Sequence, residues 1–206
     1  MALPLSSASR LEFFSDGVFA IVITLLVLEI RAPQIGEHAR PAALWAGLGA
    51  LWPSYLAYTL TFSTILVAWI GHNLVMAQVG QVSLRVMLVN GLFLLNISFL
   101  PFPTSVVAEY LRSESASAAA AFYALANLFA ALTHRGLVQA VLAEYPQGAA
   151  ALLDIRVKSA WSIPWCLACA ALALLSPLVS FVSVAAMWVW LALPQFGHPV
   201  RERTGP

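Results

Sequence analysis

Arg10-Leu-Glu-Phe-Phe-Ser-Asp-Gly-Val-Phe-Ala-Ile-Val-Ile-Thr-Leu-Leu-Val-Leu-Glu-Ile30 is the stretch on which the reading of this chain turns. It is apolar enough to enter a bilayer, yet Ser15, Asp16 and Thr24 lie inside the run. An acidic side chain in a membrane helix costs about 2.5 to 3.5 kcal/mol on insertion scales, so it faces protein or water and marks a functional site. Ser9 followed by Glu12 predicts a capping box, with the helix starting near Arg10. At roughly 1.5 Å per residue the run from Arg10 to Ile30 reaches roughly 30 Å, one hydrocarbon thickness. Ile21, Thr24, Leu25 and Leu28 recur at i, i+3, i+4 and i+7 and share one face. Periodicity alone leaves that face open between lipid, core packing and the wall of a pathway.

Composition sets the class. Hydrophobic residues make up 61% of the chain and charged residues 9%, with a mean hydropathy of +0.86. A soluble domain carries about 25% charged residues, so this is an all-α membrane protein with several crossings. The net charge of +1 points to no charged partner, and no basic run suggests nucleic acid. Met1 to Ser9 lacks a basic region ahead of a cleavable apolar core, which argues against a signal peptide. Cys166 and Cys169 form a C-x-x-C inside an apolar run, one helical turn apart, and read as packing. No metal or cofactor set is evident.

Six membrane helices are predicted: Arg10–Ile30, Leu44–His72, Leu84–Leu100, Ala118–Leu142, Ala160–Leu175 and Leu178–Leu193. Pro53 is expected inside the second helix, where neighbours satisfy the backbone groups it frees. Pro101 and Pro103 either end the third helix or bend it on toward Tyr110. Glu144, Pro146, Gly148, Asp154, Arg156 and Lys158 read as a loop before the fifth helix. Residues 1–193 form one six-helix domain, and 194–206 a polar C-terminal tail. With the N-terminus inside, seven basic residues (Arg10, Arg85, Arg135, Arg156, Lys158, Arg201, Arg203) fall on the cytoplasmic side, and three (Arg31, Arg40, Arg112) outside. That asymmetry favours both termini in the cytoplasm. The polar first helix occurs once. One such helix encloses no pathway, so a conducting form needs several subunits.

The motif Arg-x-x-x-Phe-Ser-Asp-Gly, with the Val-Phe-Ala-Ile-x-Ile-Thr-Leu-Leu-Val-Leu-Glu that follows it, resembles the first helix of the transmembrane protein 175 potassium channel family. Trp69-Ile-Gly-His72-Asn73 is similar to the end of that family's second helix. Leu88-Val-Asn90-Gly-Leu-Phe93, with Pro101-Phe-Pro103-Thr104, is similar to its third. The likeness covers the chain to about Thr104; the later helices match in number and hydrophobicity only. Gly71-His72-Asn73 departs from the histidine pair of many relatives.

The resemblance implies a homotetramer in the cell membrane, conducting potassium along a central pore lined by helix one. Ile21 would form a narrow hydrophobic gate, with Thr24, Leu25 and Leu28 facing the same pore. Arg10, Ser15, Asp16, Trp69, His72 and Asn90 would form a structural polar network holding the pore helix. The sequence has no Thr-Val-Gly-Tyr-Gly filter, so selectivity would rest on dehydration at an apolar neck, aided by the Thr24 hydroxyls. The alternatives are a weakly selective cation or proton channel, a secondary transporter and a membrane redox protein. A transporter calls for internal repeats and broken helices, which are not visible. A haem protein needs facing histidines, and of His38, His72, His134 and His198 only His72 and His134 fall within predicted helices. No His-Glu-x-x-His stretch or serine elbow supports an enzyme.

Overall fold

In the computed structural model, residues 6–36 and 40–193 are described, and helices dominate them. His38, His198 and the tail at 194–206 lie outside the described residues. α1 spans Ala8–Leu25 and passes directly into a 3₁₀ turn, Leu26–Glu29. α2 is Pro41–Ala50, α3 Trp52–Met76, α4 Leu84–Phe99 and α5 Pro101–Tyr110. α6 runs Ala116–Glu144, α7 Leu153–Leu175 and α8 Pro177–Ala192. A two-residue antiparallel ladder is the only addition to the all-α reading among the described residues: β1, Ser6–Ser7, pairs with β2, Gln81–Val82.

Five segments are long and apolar enough to cross a membrane: Ala8–Glu29, Trp52–Met76, Leu84–Tyr110, Ala116–Glu144 and Leu153–Leu175. α8 is also apolar but shorter, at 16 residues. α6 is the central element, packing against α4, α5, α7 and α8, while α1 packs on α3 and α4.

Several boundaries differ from the sequence reading, each for a local reason. The capping box does not form: α1 starts at Ala8, its N-cap is Ser7, and Ser9 Oγ lies 3.0 Å from Ser7 Oγ. The second predicted helix breaks at Leu51, leaving α2 without a buried residue. Pro53 sits in the first turn of α3, where its missing N–H costs nothing, instead of inside a continuous helix. At Pro101 the chain bends and continues. Leu100 N–H donates to Ile97 O at 3.3 Å, covering the carbonyl that Pro101, lacking an N–H, leaves without its i+4 donor.

The fifth helix begins at Leu153, well before Ala160, so Asp154, Arg156 and Lys158 are helical. Asp154 stands in the first turn, where the helix dipole favours an anion. Its carboxylate pairs with Lys158 at 2.9 Å, one turn on. Lys158 Nζ also donates to Leu191 O at 3.2 Å and Leu193 O at 2.6 Å, capping the end of α8. Charged residues that read as loop are thus a clasp between α7 and α8.

At the bend, a buried hydroxyl cluster joins three helices. Thr61 Oγ1 of α3 lies 2.7 Å from Thr104 Oγ1 of α5 and 3.0 Å from Tyr123 OH of α6. Hydrogen bonds between membrane helices are worth about 0.6 kcal/mol on average and up to about 1.7. Thr61 is the hub, so Thr61→Val should lower stability by about 1 kcal/mol or more, and Tyr123→Phe by less. Thermal unfolding of the purified protein in detergent gives the comparison.

Candidate functional site

α1 has two faces. Leu11, Ser15, Phe19, Val22 and Leu26 recur every three or four residues and are buried against the rest of the bundle. Arg10, Phe13, Phe14, Gly17, Ile21, Thr24, Leu25 and Leu28 form an exposed stripe. At 3.6 residues per turn the two stripes are centred roughly 140° apart. Ile21 keeps 60% and Leu28 69% of its surface accessible, so the described residues leave most of both side chains uncovered. A Cβ added at Gly17 would meet nothing within 4 Å, so the chain itself makes no close approach there.

Thr24 is tied to its own helix. Its hydroxyl donates to Ala20 O and Ile21 O, both at 2.9 Å. The proton points back at the backbone, which leaves the oxygen lone pairs for the exposed face. Past Leu25 the helix tightens to 3₁₀, where side chains three apart eclipse, so Leu28 stands over Leu25.

The opposite face is fixed by polar contacts. Asn90 of α4 donates from Nδ2 to Ser15 Oγ at 3.0 Å and accepts His72 Nε2 on Oδ1 at 2.8 Å. Because Oδ1 only accepts, His72 carries its proton on Nε2. Ser15 passes its own proton to Leu11 O at 2.8 Å. Next to it, Asp16 accepts Trp69 Nε1–H at 2.8 Å. Ser15 and Asp16 are adjacent on α1, and Trp69 and His72 one turn apart on α3. These bonds therefore close a triangle of α1, α3 and α4. Ser15, His72 and Asn90 are fully buried, while Asp16 and Trp69 are half-buried.

Arg10 stays out of this network. Its side chain is exposed, and the one ion pair among the described residues is Asp154–Lys158. Arg10 precedes Asp16 by six residues, and no ion pair joins the two among the described residues. The carboxylate is instead held by an indole N–H, a neutral donor. Phe19, Phe93 and His134 are part of the same site; in the sequence Phe19 and Phe93 fall within motifs and His134 among the haem-ligand candidates, but none of them is assigned to the network there. Phe19 packs on His72 at 5.5 Å and on Phe93 at 6.0 Å between ring centroids, and Phe93 meets His134 at 5.3 Å. The four-residue step from Ser15 to Phe19 was the available signal. The two cysteines are buried and unbridged, Cys169 against Ser183 and Cys166 against Met187.

A multi-pass helical membrane protein results, with its first helix clamped on one side and uncovered on the other. The chain belongs to the TMEM175 family, as 35% identity over 96% of a solved relative's length shows; the family model described as endosomal/lysosomal potassium channel TMEM175 matches residues 10–101. A crystal structure of a lysosomal potassium-selective channel TMEM175 homolog from Chamaesiphon minutus superposes with a TM-score of 0.81 at 35% identity. That match covers 90% of this chain and 96% of the other. Among curated relatives, a potassium channel of Streptomyces collinus is 43% identical over 65% of this chain and 64% of its own length. One of Chamaesiphon minutus is 46% identical over 58% of each. The matched stretch thus spans less than two thirds of these curated relatives. The family is one of ion channels, not enzymes.

The triangle makes a ranked prediction. Asn90→Leu removes the partner of both His72 and Ser15 and should cost about 1–3 kcal/mol. Arg10→Ala, at an exposed site without a partner, should stay within about 0.5 kcal/mol. Thermal unfolding in detergent would check the order, and equal losses would put Arg10 back in the network.

Proposed function

We propose that the chain is one subunit of a homotetrameric potassium-permeable channel in the cell membrane, with α1 nearest the axis. The observation that carries the reading is the uncovered stripe of α1, apolar but for Arg10 and Thr24, opposite a face locked by buried hydrogen bonds. A second copy is what such a stripe fits, because several copies meeting around an axis would enclose a path. Membership of a family of potassium channels supports the permeant ion.

In this reading Ile21 is the narrowest ring. Its branched side chains exclude water when the pathway is closed, a gate by dewetting. Thr24 follows one turn on, offering oxygen lone pairs to a cation stripped of part of its shell. Leu25 and Leu28 continue the wall. No carbonyl filter is required. Potassium, which holds its water less tightly than sodium, crosses the apolar neck at lower cost. The network of Ser15, Asp16, Trp69, His72 and Asn90 sets the rotation that keeps Ile21 on the axis; Arg10 contributes charge at the pore mouth only. α8 supplies the sixth crossing, and both termini are cytoplasmic, as the distribution of basic residues favours.

Ile21→Asn should raise conductance and erode the preference for potassium, read as reversal potentials in bilayers with potassium on one side and sodium on the other. Thr24→Ala should erode preference without a comparable conductance gain. Leu174→Asn, as exposed as Ile21 but on α7, is the matched control and should change neither. A permeation change at Leu174 with none at Ile21 would sink the assignment. Val22 is unsuitable as a control because it is buried, and an amide there would disturb folding first. Cysteine at Ile21 or Leu25 should cross-link between subunits, whereas cysteine at Leu174 should not. Cross-links at Leu174 alone would move α1 off the axis.

A further inference from the structure

A cavity of about 360 Å³ lies between α3, α4, α6, α7 and α8, away from the exposed stripe of α1. Its lining is largely apolar but includes Asn127, His134 and Trp188. Each of these carries a polar atom with no hydrogen-bond partner among the described residues: Asn127 Oδ1, His134 Nε2 and Trp188 Nε1. Asn127 is almost wholly buried, and its Nδ2 is already committed to Tyr123 O at 2.9 Å, so Oδ1 is an acceptor in need of a donor. The indole N–H of Trp188 is a donor in need of an acceptor. Left unmet, such groups lose their bonds to water without replacement in the protein interior.

The charges at the rim cancel. Asp154 and Lys158 line the cavity, yet they pair with each other, and Lys158 also donates to Leu191 O and Leu193 O. Three donors meet three acceptors, so the ammonium has none left for an anion. A charged ligand finds no counter-charge here. The mouth is apolar: Ile70 and Leu74 of α3 line the cavity and are 46% and 52% exposed. α3 is long and apolar enough to cross a membrane, so an apolar mouth there suits entry of a ligand from the lipid phase. The volume stands at the lower end of the about 300–1,000 Å³ common for small-molecule sites, too small for a two-chain lipid.

We propose that this cavity binds a neutral single-chain amphiphile with a hydroxyl head, entering from the bilayer. A hydroxyl both donates and accepts, so its chemistry matches the need of Asn127 Oδ1 for a donor and of Trp188 Nε1 for an acceptor, with the alkyl chain along the apolar wall. The site does not depend on the channel reading. It does sit behind α1, since Phe93 lines the cavity and also packs on Phe19 and His72.

The test is photolabelling of the full-length purified protein, in phosphatidylcholine–phosphatidylglycerol vesicles, with octanol bearing a diazirine on its chain. Adducts mapped by mass spectrometry should saturate and concentrate on lining residues such as Asp154 and Trp188. Excess octanol should displace them and octane should not. Ala131→Phe, which fills the cavity, should abolish saturable labelling. Trp188→Phe should weaken octanol competition about tenfold, the loss expected for one hydrogen bond. If Ala131→Phe does not fold, Ile70→Trp at the exposed mouth blocks entry without touching the core. Labelling spread over all lipid-facing helices, or saturable labelling unchanged by the blocking variant, overturns the site. Octane competing as well as octanol overturns recognition of the hydroxyl.

Discussion

The structure depends on one buried amide. Asn90 is fully enclosed, and a buried amide must have its donor and acceptor met or pay for the loss of water. Ser15 and His72 meet them from two other helices, so the rotation of α1 about its own axis is set relative to both α3 and α4. Apolar packing alone would not do this. In a bilayer lipid tails compete with leucine for leucine, and a helix can turn in its socket at little cost. A one-residue rotation of α1 would strand Ser15 and Asn90 together.

That constraint explains why an exposed stripe can be defined at all. With Leu11, Ser15, Phe19, Val22 and Leu26 held inward, Ile21, Thr24, Leu25 and Leu28 are left on the outer side. The helix is used twice, once to attach to its own subunit and once to present a surface. Asp16 serves the first use. Its contact is with Trp69, so its charge is directed into the bundle wall and away from Ile21 and Thr24.

The second half of the chain is organised differently. α6 packs against α4, α5, α7 and α8, and its Tyr123 hydroxyl and Glu144 carboxylate reach Thr61 of α3 and Ser83 at the start of α4. The one ion pair among the described residues, Asp154–Lys158, lies at a helix start and doubles as a cap for α8. Asn127 Oδ1, His134 Nε2 and Trp188 Nε1 around the cavity between these helices have no partner among the described residues, whereas the Asn90 amide meets partners with both its nitrogen and its oxygen.

Much of this was legible in the sequence, because membrane segments and their periodicity are local properties. The apolar runs, the family motif and the i, i+3, i+4, i+7 face follow from residue type and spacing, while Ser15, Asp16, Trp69, His72 and Asn90 became candidates for one network through the family resemblance. Prolines marked where helices start or bend, but not which, since that depends on whether a neighbouring donor can reach the freed carbonyl; Leu100 does so for Ile97. Asp154, Arg156 and Lys158 looked like loop because charge argues for water, and only the end of α8 arriving beside Lys158 makes a buried lysine affordable there. Pairings between helices were beyond the sequence for the same reason. That Asp16 meets Trp69 and not Arg10 is decided by where α3 lies against α1, and no spacing along one helix encodes the position of another.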